Sequence, residues 1–392
     1  MSKLLAPHQL PLQKTNSYNL LFILGRESLL SLAEIKAVFL LKNINFDIVY
    51  HKENKLILSL DQKIDLPELM KQLGGTIKIC EMADQAKTQK DELAKFLNKY
   101  IPTGKIEFSI NGFNALGIET KKVLKQMGRS ARYIESKNAA TIIYNNLIKG
   151  GADIEFCNNQ VFVTKAIQSI DDFSKRDFGR PGRDDESGML PPKLAMMMIN
   201  LATQKTKNII LDPFCGSGTI ITEAMLMGYK NIIGSDISDT AISDTIKNIE
   251  WMKNNYQLGD ANLKINIFQS DIFDITKKIN NNSVDAIVAE SYLGKPLKGS
   301  ETKMMIESQA TELKMLYLNA FTRFKKILKP DGVVIFIIPR FNYREDWIKI
   351  DCENEILKLG FKNDSLLPEH KHLLYWRPGQ HVGREIWRFK KI

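Results

Sequence analysis

The sequence predicts an α/β protein: a doubly wound parallel sheet in the C-terminal half, preceded by smaller α+β units. Three observations carry this. From residue 208 onward, short apolar segments recur at 209–212, 231–236, 264–271, 284–290 and 333–339, and stretches of helical length separate most of them. Two more strand-like segments, 373–376 and 385–389, then flank Pro378-Gly379 as an antiparallel hairpin. The N-terminal half alternates strand and helix at short spacing, the pattern of helices laid on one face of a sheet.

Taken in order, the first fifteen or so residues read as a loose tail. A strand over 19–24 runs into a turn at Gly25. Ser31 with Glu34 three residues later has the form of a capping box, which predicts a helix from Ser31 to about Leu41. A strand over 55–60, a helix over 66–73 and a strand over 76–82 complete a first unit. A second unit has a strand over 105–110, a lysine-bearing helix over 119–127 and a short strand over 131–135. An amphipathic helix over 139–148 is stopped by Gly150 and Gly151. Strands over 154–156 and 160–165 flank Asn158-Asn159, a good hairpin turn. Residues 175–192 read as a linker, because glycines, prolines and mixed charges replace any apolar period. A helix over 193–203 leads into the C-terminal sheet.

At 392 residues the chain is long enough for two or three domains. Lys and Arg total 55 against 45 Asp and Glu, an excess that favours a polyanionic partner through counterion release. Cys80, Cys157, Cys215 and Cys352 form no CxxC pair, and no histidine stands at a zinc-like offset. A structural metal is therefore not expected, and reduced thiols in a cytoplasmic protein are. No secretory pattern opens the sequence, and no apolar run approaches the roughly 20 residues that span a bilayer, so no membrane association is expected.

The strongest motif is Asp212-Pro213-Phe214-Cys215-Gly216-Ser217-Gly218-Thr219, set where a strand ends and a helix begins. Glycines there allow a tight turn and close approach to a ligand. Asp236 ends the next strand, where a carboxylate accepts hydrogen bonds from both ribose hydroxyls of a nucleoside, with Ile237 beside it. Asp271 ends the strand after that, placed for an adenine amino group, with Ile272 against the ring. A dinucleotide fits poorly: Ile221 stands where the third fingerprint glycine belongs, and Asp212 would repel a pyrophosphate. A sulfonium cofactor with an amino group is attracted by that acid, so S-adenosylmethionine is the expected cofactor. The plainer alternatives are a turn-capping role for Asp212, helix capping for Asp236, with Ser238 as a rival cap, and capping for Asp271. Cys215 has no neighbouring base and reads as a small packing residue.

These residues, with Gly188-Met189-Leu190-Pro191-Pro192-Lys193-Leu194-Ala195 upstream and Val382-Gly383-Arg384-Glu385-Ile386 near the end, closely resemble the tRNA guanosine-N2 methyltransferases that modify position ten. Leu24-Gly25-Arg26 with Leu32-Ala33-Glu34-Ile35 is similar to the family's opening. The segment 125–132, with Gly128-Arg129-Ser130, is similar to its THUMP segment. The resemblance covers about residues 18–391. It implies a ferredoxin-like domain over 16–85, a THUMP-like RNA-binding domain over 86–168, a linker over 169–190 and a Rossmann-like methyltransferase domain over 191–392. It also implies tRNA as the partner.

The sequence departs from this pattern at the catalytic loop. Amino-group methyltransferases typically carry Asp/Asn-Pro-Pro-Tyr after the fourth strand; here the loop is Ala289-Glu290-Ser291-Tyr292-Leu293-Gly294. The expected catalytic pair is Glu290, as acceptor for the hydrogens of a base amine, and Tyr292, as a stacking face. Backbone carbonyls of Ser291 or Tyr292 are further candidate acceptors. For RNA contact the candidates are Lys121, Lys125, Arg129 and Arg132, then Arg180 and Arg183 in the linker, and Arg377 and Arg384 near the end. Two alternatives stay open: a tRNA-binding protein of the same ancestry without catalysis, and an amino-methyltransferase acting on rRNA or DNA.

Overall fold

The computed structural model describes residues 18–83, 87–183, 189–259, 262–344 and 346–392. The expected N-terminal tail and Gly188 lie outside the described residues. The chain divides into two compact units. Among the described residues, one comprises 18–23, Ile44–Leu66 and Ile79–Ala166; the other comprises Leu24–Asn43, Pro67–Lys78 and Ile167–Ile392.

The N-terminal strands are β1 (Tyr18–Leu24), β2 (Phe46–Lys52), β3 (Lys55–Leu60), β4 (Thr76–Met82), β5 (Ile106–Ile110), β6 (Ala131–Tyr133), β7 (Ala152–Cys157) and β8 (Gln160–Ile167). They join in one eight-stranded sheet of order β2-β3-β1-β4-β8-β7-β5-β6, so the two small units expected from the sequence share a continuous sheet. The helices of this half are α1 (Ser28–Lys42), α2 (Leu66–Lys71), α3 (Lys90–Tyr100), α4 (Asn114–Gln126) and α5 (Ala139–Tyr144). Leu97, Phe108, Leu124 and Ile154 are fully buried in the core under α3 and α4. The turn between β7 and β8 is Asn158-Asn159 with φ of 48° and 58°, the left-handed pair a tight hairpin requires.

Three expectations need correction here. Helix α1 starts at Ser28, not Ser31, and its N-cap Glu27 makes no side-chain cap. Ser31 lies inside the helix and donates to the Gly75 carbonyl at 2.8 Å. The Glu34 carboxylate accepts from the backbone N–H of Gly74 and Gly75 and from Asn200, each at 2.8 Å. These polar groups are buried, so long-range partners have displaced the local cap. Helix α5 stops at Tyr144, and Asn146 takes a φ of 51° that ends it. The linker begins as helix α6 (Ile170–Phe178), because Arg176 is buried between Asp172 and Glu223, with 2.7 Å to the latter.

The C-terminal half continues with α7 (Pro192–Leu201), β9 (Ile209–Asp212), α8 (Thr219–Leu226), β10 (Asn231–Asp236), α9 (Asp239–Tyr256) and β11 (Lys264–Gln269). Then come α10 (Ile275–Lys278), β12 (Val284–Glu290), α11 (Lys303–Ile327), β13 (Leu328–Tyr343) and β14 (Asp346–Lys349). The last elements are α12 (Glu353–Lys358), β15 (Phe361–Asn363), β16 (His372–Tyr375) and β17 (Val382–Lys391). The sheet order is β11-β10-β9-β12-β13-β17-β15, with β14 on β13 and β16 on β17. Strands β11 to β13 along this order are parallel, and β17 is antiparallel to β13. Phe321 of α11 packs against Phe324, Phe336, Phe361 and Phe389, with ring centroids 5.2–5.3 Å away. Each such buried ring contributes about 1.5–3 kcal/mol by leaving water, and together they seat α11 on the sheet. The strand order reverses between β9 and β12, which opens a crevice beyond their carboxyl ends.

Candidate functional site

A cavity of about 930 Å³ lies at that crevice. It is lined by Asp212, Phe214, Gly216, Thr219, Asp236, Ile237, Asp271, Ile272, Glu290 and Tyr292, so the structure brings these expected cofactor and catalytic residues together. Gly218 is not on the lining. It takes a φ of 82° as the residue before α8, and a Cβ there would meet Thr245 at 2.9 Å. Its part is to let the loop turn under α9.

The cavity edge that carries Asp212, Asp236 and Asp271 is wired through backbone amides. Asp236 accepts from Gly216 N–H at 3.0 Å with one oxygen and from Ser238 N–H at 2.9 Å with the other. Ser238, not Asp236, caps α9 through Ala241 N–H at 3.3 Å. Each carboxylate oxygen has a further lone pair for a ribose hydroxyl. Asp271 accepts from Phe273 N–H at 2.9 Å, so the capping alternative is present alongside its place on the cavity wall. The loop carbonyls are also held: Thr245 donates to Gly216 at 2.7 Å and Asn248 to Ser217 at 2.8 Å.

Asp212 is buried and accepts from Phe214 N–H at 3.1 Å. Burial pushes its carboxyl well above the usual range; the Phe214 N–H opposes this, and the charges of Asp236 and Glu290 add to it. A cavity walled by Asp212, Asp236, Asp271 and Glu290 fits a ligand that carries positive charge. A pyrophosphate would meet the opposite. Cys215 is buried, and burial pushes its thiol up, so it stays protonated and inert.

The opposite edge is the loop after β12. Glu290 pairs in register with Ile337, and its Oε1 accepts from Arg384 Nε at 2.5 Å. Ser291 donates its hydroxyl to the Ile337 carbonyl at 2.8 Å. The Tyr292 carbonyl accepts from the buried Tyr317 hydroxyl at 2.7 Å, so that carbonyl already has a partner. Gly294 takes a φ of 91°, and a Cβ there would lie 2.5 Å from Gln309, whose side-chain oxygen accepts from Lys295 N–H at 3.0 Å. Tyr292 is 52% exposed and lines the cavity, which leaves its ring available to a flat ligand.

The basic residues expected at RNA part company. Arg384 is committed to Glu290, with 12% of its side chain exposed. Arg180 is buried and donates to the Thr219 hydroxyl at 2.6 Å, bracing the start of α8. Arg129 donates to the carbonyls of Ile101 at 2.8 Å and Gly104 at 3.2 Å, closing the end of α3. Lys125, Arg132 and Arg377 are exposed, and Lys121 is half-buried. Arg132 lies 3.6 Å from Glu107, and Arg377 donates to the Tyr375 hydroxyl at 3.1 Å. Arg183 lines the cavity and donates to the Phe178 carbonyl at 3.0 Å.

The methyltransferase domain of the RMKL-like family matches residues 180–351. A tRNA (guanine(10)-N2)-dimethyltransferase of Methanocaldococcus jannaschii is 30% identical over 188 residues, 47% of this chain and 46% of that protein. A probable tRNA (guanine(10)-N2)-dimethyltransferase of Methanothermococcus thermolithotrophicus is 30% identical over 168 residues, 43% of this chain and 87% of that protein. The chain belongs to the tRNA guanosine-N2 methyltransferase family. The match spans about half the length of the first of these relatives. Membership makes S-adenosylmethionine the cofactor of the domain, and the acid-lined cavity fits it. The fold of TrmN from Thermus thermophilus superposes with a TM-score of 0.54 at 15% identity, covering 95% of this chain and all of that one. Among the described residues no helix is long and apolar enough to cross a membrane.

Proposed function

We propose that this methyltransferase modifies the exocyclic N2 amine of a guanosine in tRNA, at position ten. One observation supports the reading above the others. A single cavity joins the acid-lined cofactor edge to a loop that offers an acceptor, Glu290, and an exposed ring, Tyr292.

The lone pair of a guanine amine is delocalised into the ring, so the nitrogen is a poor nucleophile. Acceptors that take its hydrogens localise the pair and aim it. When bound, the cofactor supplies an electrophilic methyl group on sulfur. Glu290 would hold an amine hydrogen and so aim the nitrogen lone pair at the methyl-donor side of the cavity, and Tyr292 would receive the base removed from its stack. Once methylated, the nitrogen sheds a proton to solvent.

In this reading residues 16–85 and 86–168 serve as ferredoxin-like and THUMP-like domains and residues 191–392 as the catalytic domain. Lys121, Lys125, Arg132 and Arg377 supply phosphate contacts, with Arg183 at the cavity. Buried free cysteines accord with a reducing, cytoplasmic setting. Because Leu24–Asn43 packs in the same unit as the C-terminal residues, RNA contact is better tested by charge reversal in the full chain than by truncation.

The test is single-turnover methylation of unmodified tRNA, read by nucleoside mass spectrometry. N2-methylated guanosine is expected. Tyr292→Phe should keep most activity and Tyr292→Ala lose most of it, as stacking contributes about 1–3 kcal/mol per base. Lys121→Glu with Lys125→Glu should weaken tRNA binding and flatten its salt dependence. Absence of methylated guanosine on every tRNA tried would overturn the reading and favour a binding protein.

A further inference from the structure

Arg384 stands on β17, two strands away from the loop that carries Glu290. Its register partner is Pro339 on β13, and Glu290 on β12 pairs with Ile337 two residues earlier on that same central strand. The sheet therefore delivers the guanidinium to the end of β12 without a flexible segment between them. Arg384 Nε meets Glu290 Oε1 at 2.5 Å, with 12% and 14% of the two side chains exposed. Glu290 lines the cavity, whereas Arg384 is not among the described lining residues. The arginine thus sits behind the carboxylate, on the side away from the ligand space.

We propose that Arg384 is a positioning residue for Glu290. Bound at Oε1, the arginine anchors that oxygen and leaves Oε2 to accept a hydrogen of the target amine. A charge-assisted bond from the rigid, planar guanidinium holds direction as well as position. The neighbouring acids make this pairing necessary. Asp212 and Asp236 line the same cavity, and their repulsion would push an unpaired Glu290 carboxylate away from the ligand space. With Arg384 in place, the acid stays at the end of β12. This inference rests on the proposed methylation of a base amine, and it assigns Arg384 to the reacting end of the site and not to a phosphate of the RNA.

The two assignments separate kinetically. If Arg384 positions Glu290, Arg384→Met should lower single-turnover kcat by about 10–100-fold, leaving the KM for tRNA and the affinity for S-adenosylmethionine near wild type. Arg384→Lys, which keeps the charge but not the fork, should recover part of the loss. Glu290→Gln combined with Arg384→Met should be no slower than the slower single variant, because both act through one carboxylate. If the arginine served RNA phosphate instead, KM would rise, kcat would hold and the salt dependence of binding would flatten. That outcome, or strictly multiplicative losses in the double variant, overturns the proposal. The pairing has a readout that needs no tRNA: Arg384→Met should lower Tm by a few degrees, and adding Glu290→Gln should restore part of it. A Tm cycle without coupling also overturns the proposal. Loss of coupling therefore counts against Arg384, while a wild-type chain that methylates no tRNA counts against the substrate reading.

Discussion

The two edges of the cavity are held by different means. On the cofactor edge, Asp212, Asp236 and Asp271 each accept from backbone N–H groups within the same strand-to-helix turn or the neighbouring one. On the target edge, Glu290 depends on Arg384, 94 positions later, and the Tyr292 carbonyl on Tyr317, 25 positions later. The acids of the first edge are held by the turns that carry them, with Thr245 and Asn248 of α9 bracing the glycine loop. The second exists only when β17 and α11 have docked. The same contrast sets what a mutation should do. Damage to the first edge strikes the turn itself, and damage to the second leaves the cofactor in place.

The largest effect is expected at Gly218. Alanine there adds a left-handed penalty of about 1–2 kcal/mol to a contact with Thr245 at 2.9 Å, and overpacking of that kind costs about 1–3 kcal/mol more. Gly218→Ala should therefore lower both Tm and cofactor affinity, measured by thermal melts and calorimetry. An unchanged affinity would mean that the loop tolerates another path. Asp236→Ala comes next. It removes the acceptor for Gly216 and Ser238 and, in the proposed binding mode, for the ribose, and about 1–3 kcal/mol of cofactor affinity should go with it. Tyr317→Phe sharpens the comparison from the other side. It deletes the donor to the Tyr292 carbonyl at a cost of about 0.5–1.5 kcal/mol, so methylation should slow several-fold while cofactor affinity stays. Equal loss of both would show that the edges are not independent.

This difference also explains what was legible in the sequence. The parallel strands read clearly because buried strands are apolar runs, as 333–338 shows, and the glycine turn with its acids is a contiguous motif. The Asn158-Asn159 turn was legible for the same reason: its chemistry is local. Ser31 and Glu34 had the spacing of a cap, but their partners at Gly74, Gly75 and Asn200 lie 40 or more positions away, and those bonds set the buried geometry. Helix α6 was hidden inside a linker-like composition because Glu223, which holds Arg176, sits on another helix. Arg129, Arg180 and Arg384 looked like phosphate ligands for an equally plain reason. Sequence shows a cation but not the carbonyl, hydroxyl or carboxylate that the fold brings to it.

The most specific effect concerns the proton on Asp212. Burial raises its carboxyl well above the ordinary range, and the Asp236 and Glu290 charges push the same way. The folded chain therefore holds this proton more tightly than the unfolded chain does. Stability from this group is present below the unfolded carboxylate value and is lost as pH rises through the folded one. A cationic cofactor reverses the preference, because it favours the ionised acid. Below the raised value, binding must expel a proton; above it, the acid is already charged. S-adenosylmethionine affinity should thus rise with pH above the usual carboxylate range, by at most about tenfold per pH unit for one linked proton, and then level off. Calorimetry in two buffers of different ionisation enthalpy measures the released proton directly. Asp212→Asn should bind more weakly and lose this dependence, while Asp236→Ala should bind more weakly and keep it. Wild-type affinity that is flat with pH, with no proton released, would show that Asp212 is already ionised before the cofactor arrives.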